Sequence, residues 1–334
     1  MWTMAKTGIL ILTVVTFIFN QRVCEAEIAH TPRMNNVPYS EVVKPYHDLY
    51  GVSAINKCVW LSGYNGLIAH SCDGGKSWEK QKSGVKVPLF DVYFIDPLCG
   101  WCVGDKGTIL KTMDGGKKWE SQESPTTVEL MKVFFKDHNV GFILGNEVVL
   151  STTNSGRSWE IKISGIENIF YDIHFVDSVG YIVGEFGKVF KTTDSGETWV
   201  AMGPVDKEEA RSMFSTYFRS PEEGFAVGMG TSIYYTNDGA KSWRKIETKA
   251  AYTLLKVFPL GEEYFFAGLR GSFFAGSIHT SNEAVINYKN ISIPDVTVWI
   301  CDLDFADKGR GFAIGGNGLL LKTTDAGKNW SVVK

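Results

Sequence analysis

Hydrophobic and polar positions alternate in short runs along most of the chain, and the runs recur. Leu89-Phe90-Asp91-Val92-Tyr93-Phe94 and Tyr171-Asp172-Ile173-His174-Phe175 are aromatic and β-branched stretches of strand length. A Gly-aromatic-x-apolar-Gly segment follows each, as in Gly100-Trp101-Cys102-Val103-Gly104, and recurs at residues 141–145, 180–184, 224–228 and 311–315. A tight Gly-containing turn, Asp105-Lys106-Gly107 in one copy, leads into a third run at 108–112, and a Trp opens a fourth. Period-two alternation bounded by turn residues predicts β-strands joined by hairpins. Beyond the first 26 residues no stretch sustains a 3.6-residue period, so little helix is expected.

The turn before the fourth run is the most regular feature. Ser71-Cys72-Asp73-Gly74-Gly75-Lys76-Ser77-Trp78 recurs as Thr112-Met113-Asp114-Gly115-Gly116-Lys117-Lys118-Trp119. Further copies carry Asn154 and Trp159, Asp194 and Trp199, Asp238 and Trp243, and Asp325 and Trp330. The six Trp positions lie 41, 40, 40, 44 and 87 residues apart, so one copy has lost its signature and the repeats number seven. Four short strands in about 40 residues make a propeller blade. The expected fold is an all-β, seven-bladed β-propeller of four-stranded antiparallel blades over residues 47–334, with a degenerate sixth blade at about 252–290. Residues 27–46, containing Pro32, Pro38 and Pro45, read as an extended lead-in, from which residues 41–43 can add an outer strand.

In such a turn the Asp carboxylate can accept backbone N–H groups of its own loop, the Gly supplies a conformation other residues resist, and the Trp packs beneath. These residues therefore read as structural staples. The spacing lacks the dense oxygen ligands of a calcium loop.

Composition refines this picture. Lys6 precedes a 12-residue apolar stretch, residues 8–19, and Cys24-Glu25-Ala26 ends in a small-x-small pattern. Twelve residues span only about 18 Å as a helix, against a bilayer core of roughly 30 Å. Residues 1–26 are read as a signal peptide, with an uncleaved anchor as the alternative. The expected location is exported, in the periplasm or an equivalent lumenal compartment, and no later stretch is apolar enough to span a membrane. The net charge of −3 predicts no pull toward nucleic acid.

The turn is similar to the bacterial neuraminidase repeat, or Asp box. The whole repeat, with Gly-Trp-x-Val-Gly followed by Gly-x-Ile-x-Lys-Thr-x-Asp-Gly-Gly-x-x-Trp, resembles the photosystem II stability/assembly factor family over roughly residues 47–334. That resemblance implies a seven-bladed, exported or lumenal propeller, which acts without catalysis by holding subunits of a membrane complex during assembly. The chain departs from the family's cyanobacterial members in lacking a lipobox before Cys24 and in scattering its arginines. The expected function is a non-catalytic protein-binding scaffold, either an assembly factor or a structural subunit of a larger complex. Its expected partners are protein subunits, and no cofactor is expected. Specificity should lie where the repeats depart from one another: the sixth blade, the linker at 202–211, and Arg211, Arg219, Arg244 and Arg270.

The alternative is a carbohydrate-binding or sialidase-like propeller. Sialidase chemistry needs an arginine triad, a Tyr nucleophile with a Glu partner, and an acid/base Asp. Phe218-Arg219-Ser220-Pro221 matches the sialidase Phe/Tyr-Arg-Ile-Pro only superficially, since it falls where other repeats carry an ordinary inter-strand loop. No catalytic residue is assigned. Asp91, Asp172 and Asp302 recur at one position of the innermost strand, where they can line the channel as an acidic ring or, as favoured, bond neighbouring backbone. The histidines, His70 and His174 among them, show no metal-ligand spacing, and no metal is expected.

Cys58 and Cys72 sit at opposite ends of one hairpin. A turn at 64–66 places them directly cross-strand, where an oxidising compartment permits a disulfide, and a one-residue register slip removes it. Cys99 and Cys102 have redox-motif spacing but enter a strand, so they read as structural. Cys301 reads as core.

Overall fold

The computed structural model describes residues 42–333 except 45, 206–208, 232, 249, 280–284 and 292. The expected signal peptide at 1–26, and the lead-in before residue 42, lie outside the described residues.

The strands form antiparallel hairpin sheets in chain order. The first sheet is β1 (Leu49–Ile55), β2 (Cys58–Gly63), β3 (Ile68–Ser71) and β4 (Glu79–Gln81), and the second is β5 (Leu89–Phe94), β6 (Gly100–Gly104), β7 (Ile109–Thr112) and β8 (Glu120–Ser121). A six-stranded sheet follows: β9 (Leu130–Phe135), β10 (Gly141–Thr152), β11 (Glu160–Val176), β12 (Val179–Gly184), β13 (Val189–Thr192) and β14 (Val200–Ala201). Then come β15 (Met213–Phe218), β16 (Gly224–Gly228), β17 (Ile233–Thr236) and β18 (Arg244–Ile246). The fifth sheet is β19 (Leu254–Leu260), β20 (Glu263–Gly268), β21 (Phe273–His279) and β22 (Val285–Asn290). The last is β23 (Ile300–Phe305), β24 (Gly311–Gly315), β25 (Leu320–Thr323) and β26 (Ser331–Val332).

Six sheets thus stand where one per repeat was expected. The count falls because β11 runs unbroken from Glu160 to Val176, serving the third repeat as outer strand and the fourth as inner strand. A second fusion lies within the third repeat. Between β6 and β7 the chain makes a 3-10 turn at Asp105–Gly107, but the matching step inside β10 is only Asn146-Glu147, with Glu147 at φ 60°, so the strand runs on. β10 pairs with β9 through Gly141–Gly145 and with β11 from Asn146 onward. β11 likewise pairs with β10 through its first part and with β12 from Phe170 onward.

Strands β1, β5, β9, β11, β15, β19 and β23 each pack against the next, and β23 packs back on β1. Among the described residues the ring closes side to side, with β23 to β26 in one sheet and no strand exchanged with the first. Val52 N–H donates to Asp302 Oδ2 (3.1 Å), Ala54 N–H to Asp304 Oδ2 (2.8 Å) and Asn56 N–H to the Ala306 carbonyl (3.1 Å). Val42 and Val43 form a bend where an outer strand was expected, and Val43 is buried with Leu49 and Phe312.

Aromatic packing joins neighbouring repeats. Phe94 stacks on Trp60 of the preceding repeat (3.6 Å between ring centroids) and meets Trp119 of its own Asp box edge-on (5.8 Å). The same triple recurs as Trp101, Phe135 and Trp159, and as Tyr181, Phe218 and Trp243. A side chain on Gly100 would collide with the Phe94 ring at 2.6 Å, which explains the first Gly of the repeated segment. In the sixth repeat Pro259 pairs with Tyr264 where others pair Phe with Gly. The first repeat also lacks that pair, with Ala54 opposite Val59, yet keeps its Trp78.

Candidate functional site: the central channel

The inner strands share one irregularity. Each carries a register shift near its start, and the skipped residues are Tyr50, Phe90, Met131, Tyr171, Phe214, Leu255 and Cys301. A β-bulge re-aims a side chain. These seven, together with Trp299, line a vestibule that encloses about 820 Å³, counting the space open to solvent.

The next position on each strand forms a second ring: Gly51, Asp91, Lys132, Asp172, Ser215, Lys256 and Asp302. The three expected aspartates are here, but two lysines share their register, so the ring is not simply acidic. Lys132 Nζ lies 3.2 Å from Asp91 Oδ2, and Lys256 Nζ lies 2.9 Å from Asp302 Oδ1. Each aspartate also reaches the following inner strand. Asp91 Oδ2 accepts from Val133 N–H (2.9 Å), and Asp172 Oδ2 from Thr216 N–H (3.0 Å) and the Ser215 hydroxyl (2.7 Å). Asp302 makes the equivalent bond to Val52 across the closing seam.

A third layer holds His174 and Asp304. His174 Nδ1 accepts from Phe218 N–H (3.3 Å), and Asp304 Oδ2 from Ala54 N–H. Burial pushes the His174 imidazole down to about 4, which leaves it neutral with a lone pair to accept that bond. Burial pushes Asp304 up to about 7 and Asp91 up to about 6, although Lys132 opposes the shift at Asp91. Asp302 lies below its ordinary value because Lys256 and Lys132 outweigh its burial. Burial acts against the Lys132 charge, but Asp91, Asp302 and Asp172 hold it protonated.

The Asp-box residues sit in the turns before the outermost strands. Thr112 Oγ1 donates to Asp114 Oδ1 (2.9 Å) and accepts from Gly116 N–H (2.8 Å), while Asp114 Oδ1 accepts from Lys118 N–H (2.9 Å). Asp73, Asn154, Asp194, Asp238 and Asp325 repeat this pattern. Hydrogen bonds from their loops hold Asp73, Asp194 and Asp325 well below the ordinary carboxylate range. Trp78 meets Phe312 of the last sheet edge-on, and Trp199 meets Phe142 and Phe175.

The four arginines do not form one patch. Arg219 pairs with Glu223, which accepts from the Tyr235 hydroxyl (2.9 Å), and Arg244 lies over the Tyr235 ring at 5.2 Å. Arg211 pairs with Glu209 before β15, and Arg270 lies over Tyr252 in the 3-10 turn Leu269–Gly271. Phe218 to Pro221 ends β15 and enters its hairpin loop, with Arg219 held by Glu223.

Cys58 and Cys72 are joined by a disulfide. Cys99 and Cys102 are free, and burial pushes Cys99 up to about 11 and Cys102 well above the ordinary thiol value, so neither is an activated thiolate. Sequence reading missed four groups. Lys132, Lys256 and Ser215 were findable by aligning inner strands on their Gly-aromatic partners, without asking for Asp. His70 was findable too, since it stands two residues before Cys72 and so on the same face of the hairpin.

Repeated four-stranded antiparallel blades, Asp-box turns and a channel lined by bulged inner strands define an all-β propeller. The chain belongs to the family described as Photosynthesis system II assembly factor YCF48, whose model matches residues 84–165 and 161–253, half of the chain. It is similar to the photosystem II stability/assembly factor HCF136, chloroplastic, of Oryza sativa subsp. japonica, at 26% identity over 55% of this chain and 54% of that one. The chain thus spans about half the length of that relative. The photosystem II assembly lipoprotein Ycf48 of Synechococcus sp. (strain CC9902) is 25% identical over 55% of this chain and 69% of its own. A solved structure described as YCF48 bound to D1 peptide superposes with a TM-score of 0.67 over 87% of this chain and 99% of that one. At 18% identity that likeness shows the fold alone.

Proposed function

We propose that this chain is a seven-bladed, non-catalytic scaffold that holds protein subunits of a larger exported or membrane-associated complex. Seven is the count of inner strands among the described residues, with the six-stranded sheet read as two blades that share β11. One observation carries the scaffold reading: Asp91, Asp172 and Asp302 each spend a carboxylate oxygen on backbone of the following inner strand. Channel carboxylates used in this way brace the ring, and a braced ring suits presentation of a binding surface. The family and the relatives named as assembly factors support the same reading, and the D1 peptide of one of them suggests a polypeptide ligand. The disulfide suits an oxidising, exported or lumenal compartment. Among the described residues no helix is long and apolar enough to cross a membrane.

Partner contacts are proposed to centre on residues 200–290, where Arg211, Arg244 and Arg270 sit on a part of the ring that departs from the common repeat. The test is native co-purification of the tagged mature protein with crosslinking mass spectrometry. Recovery of the subunits of one complex, crosslinked through 200–290, supports the reading. Recovery of the protein alone, with measurable glycan binding or sialoside cleavage, replaces it with the glycan-processing alternative.

A further inference from the structure

The edge of the first blade carries a cluster that the scaffold role does not use. Cys58 opens β2 and Cys72 follows β3. His70 lies two residues before Cys72 on the same face of the hairpin, and its ring stacks on Trp60 (4.9 Å). His70 Nε2 is 3.1 Å from Cys72 Sγ, and His70 Nδ1 is 3.0 Å from Glu79 Oε1. The two sulfurs and the imidazole nitrogen all lie within 4.8 Å of one another.

We propose that reduction of the Cys58–Cys72 disulfide converts this cluster into a Cys₂His site for a thiophilic divalent cation, with Zn²⁺ as the probe. The Glu79 carboxylate accepts a hydrogen bond from Nδ1–H there and leaves the Nε2 lone pair facing the sulfurs, the arrangement in which an imidazole binds metal. Bonds of about 2.3 Å to sulfur and about 2.0 Å to nitrogen at a tetrahedral centre place ligand atoms about 3.5–3.8 Å apart. The cluster's ligand atoms, already within 4.8 Å of one another, have to settle at that spacing once the S–S bond is broken. Three protein ligands leave the fourth position to water or to a partner's side chain. A neighbouring partner would then meet one surface when the site is oxidised and another when it is reduced and metallated.

The chemistry balances with a dithiol reductant. The dithiol breaks the protein S–S bond, passes two electrons and two protons to Cys58 and Cys72, and becomes a disulfide itself. Zn²⁺ then displaces the two thiol protons, forming two bonds to sulfur and one to His70 Nε2. Cys99 and Cys102 do not compete, since both are buried with strongly raised thiol values.

The experiment uses the full mature chain, oxidised or reduced with a small dithiol that is then removed under nitrogen. Zn²⁺ binding is read by equilibrium dialysis, and site occupancy by alkylation and peptide mass spectrometry. The expected result is one Zn²⁺ bound only after reduction, with Cys58 and Cys72 protected from alkylation. Cd²⁺ in its place should give a thiolate charge-transfer band. Glu79→Gln keeps all three ligands and should weaken zinc by about ten- to a hundredfold, and His70→Ala by at least as much. Zinc that leaves Cys58 and Cys72 open to alkylation overturns the proposal. So does equal affinity in the His70→Ala and wild-type chains, each checked for native circular dichroism.

Discussion

Asp91 Oδ2 accepts the backbone N–H of Val133 at 2.9 Å, so a carboxylate on one inner strand completes the hydrogen bonding of the next. The same carboxylate holds Lys132 at 3.2 Å, one residue before the amide it accepts. Asp91 is only 2% exposed, and removing one member of such a buried pair strands the other charge.

Asp91→Ala should therefore cost about 3–5 kcal/mol of stability. Asp91→Leu combined with Lys132→Met should cost less than the two single changes together, because no charge is left alone. Urea unfolding of the four proteins measures the coupling. An additive cycle would mean that the pair does not interact.

The contribution of Asp304 to stability should fall as pH rises from about 4 to about 7, while His174, kept neutral by burial, acts in the opposite sense. Burial raises Asp304 from its ordinary 3.8 to about 7, so over that window the carboxyl binds more protons in the folded chain than in the unfolded one. The contribution is fully present below the unfolded value and lost as pH passes the folded one. Asp304→Asn can still accept from Ala54 N–H and should remove that fall. Thermal melts of both proteins from pH 4 to 8 test this, and equal slopes would refute it.

At the Asp box the buried hydroxyl should matter more than the exposed carboxylate. Thr112→Val leaves the buried Gly116 N–H without its acceptor and should cost about 1–3 kcal/mol. Gly116 sits at φ +90° with the Gln81 amide against it, so Gly116→Ala is strained on both counts. Denaturation midpoints of the two variants and of Asp114→Ala rank the three contributions.

The aromatic triple predicts a large local loss. Trp101 is fully buried and stacks on Phe135 at 3.5 Å, so Trp101→Ala should cost about 3–5 kcal/mol. Hydrogen exchange should show the loss concentrated in β6 and β9, on both sides of that seam.

The sequence by itself determined the local units. A strand-length run, a Gly-aromatic strand, a tight turn and an Asp box recur every 40 residues or so, and each specifies its structure through contacts within one hairpin. The facing of Cys58 and Cys72 belongs to the same class, because hairpin register follows from the turn. The sheet count depended on something subtler: no break separates the outer strand of the third repeat from the inner strand of the fourth, so β11 runs from Glu160 to Val176 and joins two blades in one sheet. Contacts between repeats had to wait for the folded ring. Lys132 and Lys256 meet aspartates of other repeats, and the closing seam joins Val52 to Asp302 across 250 residues of chain. Short-range pattern fixes short-range geometry. Partners that come from distant repeats become neighbours only once the ring has closed.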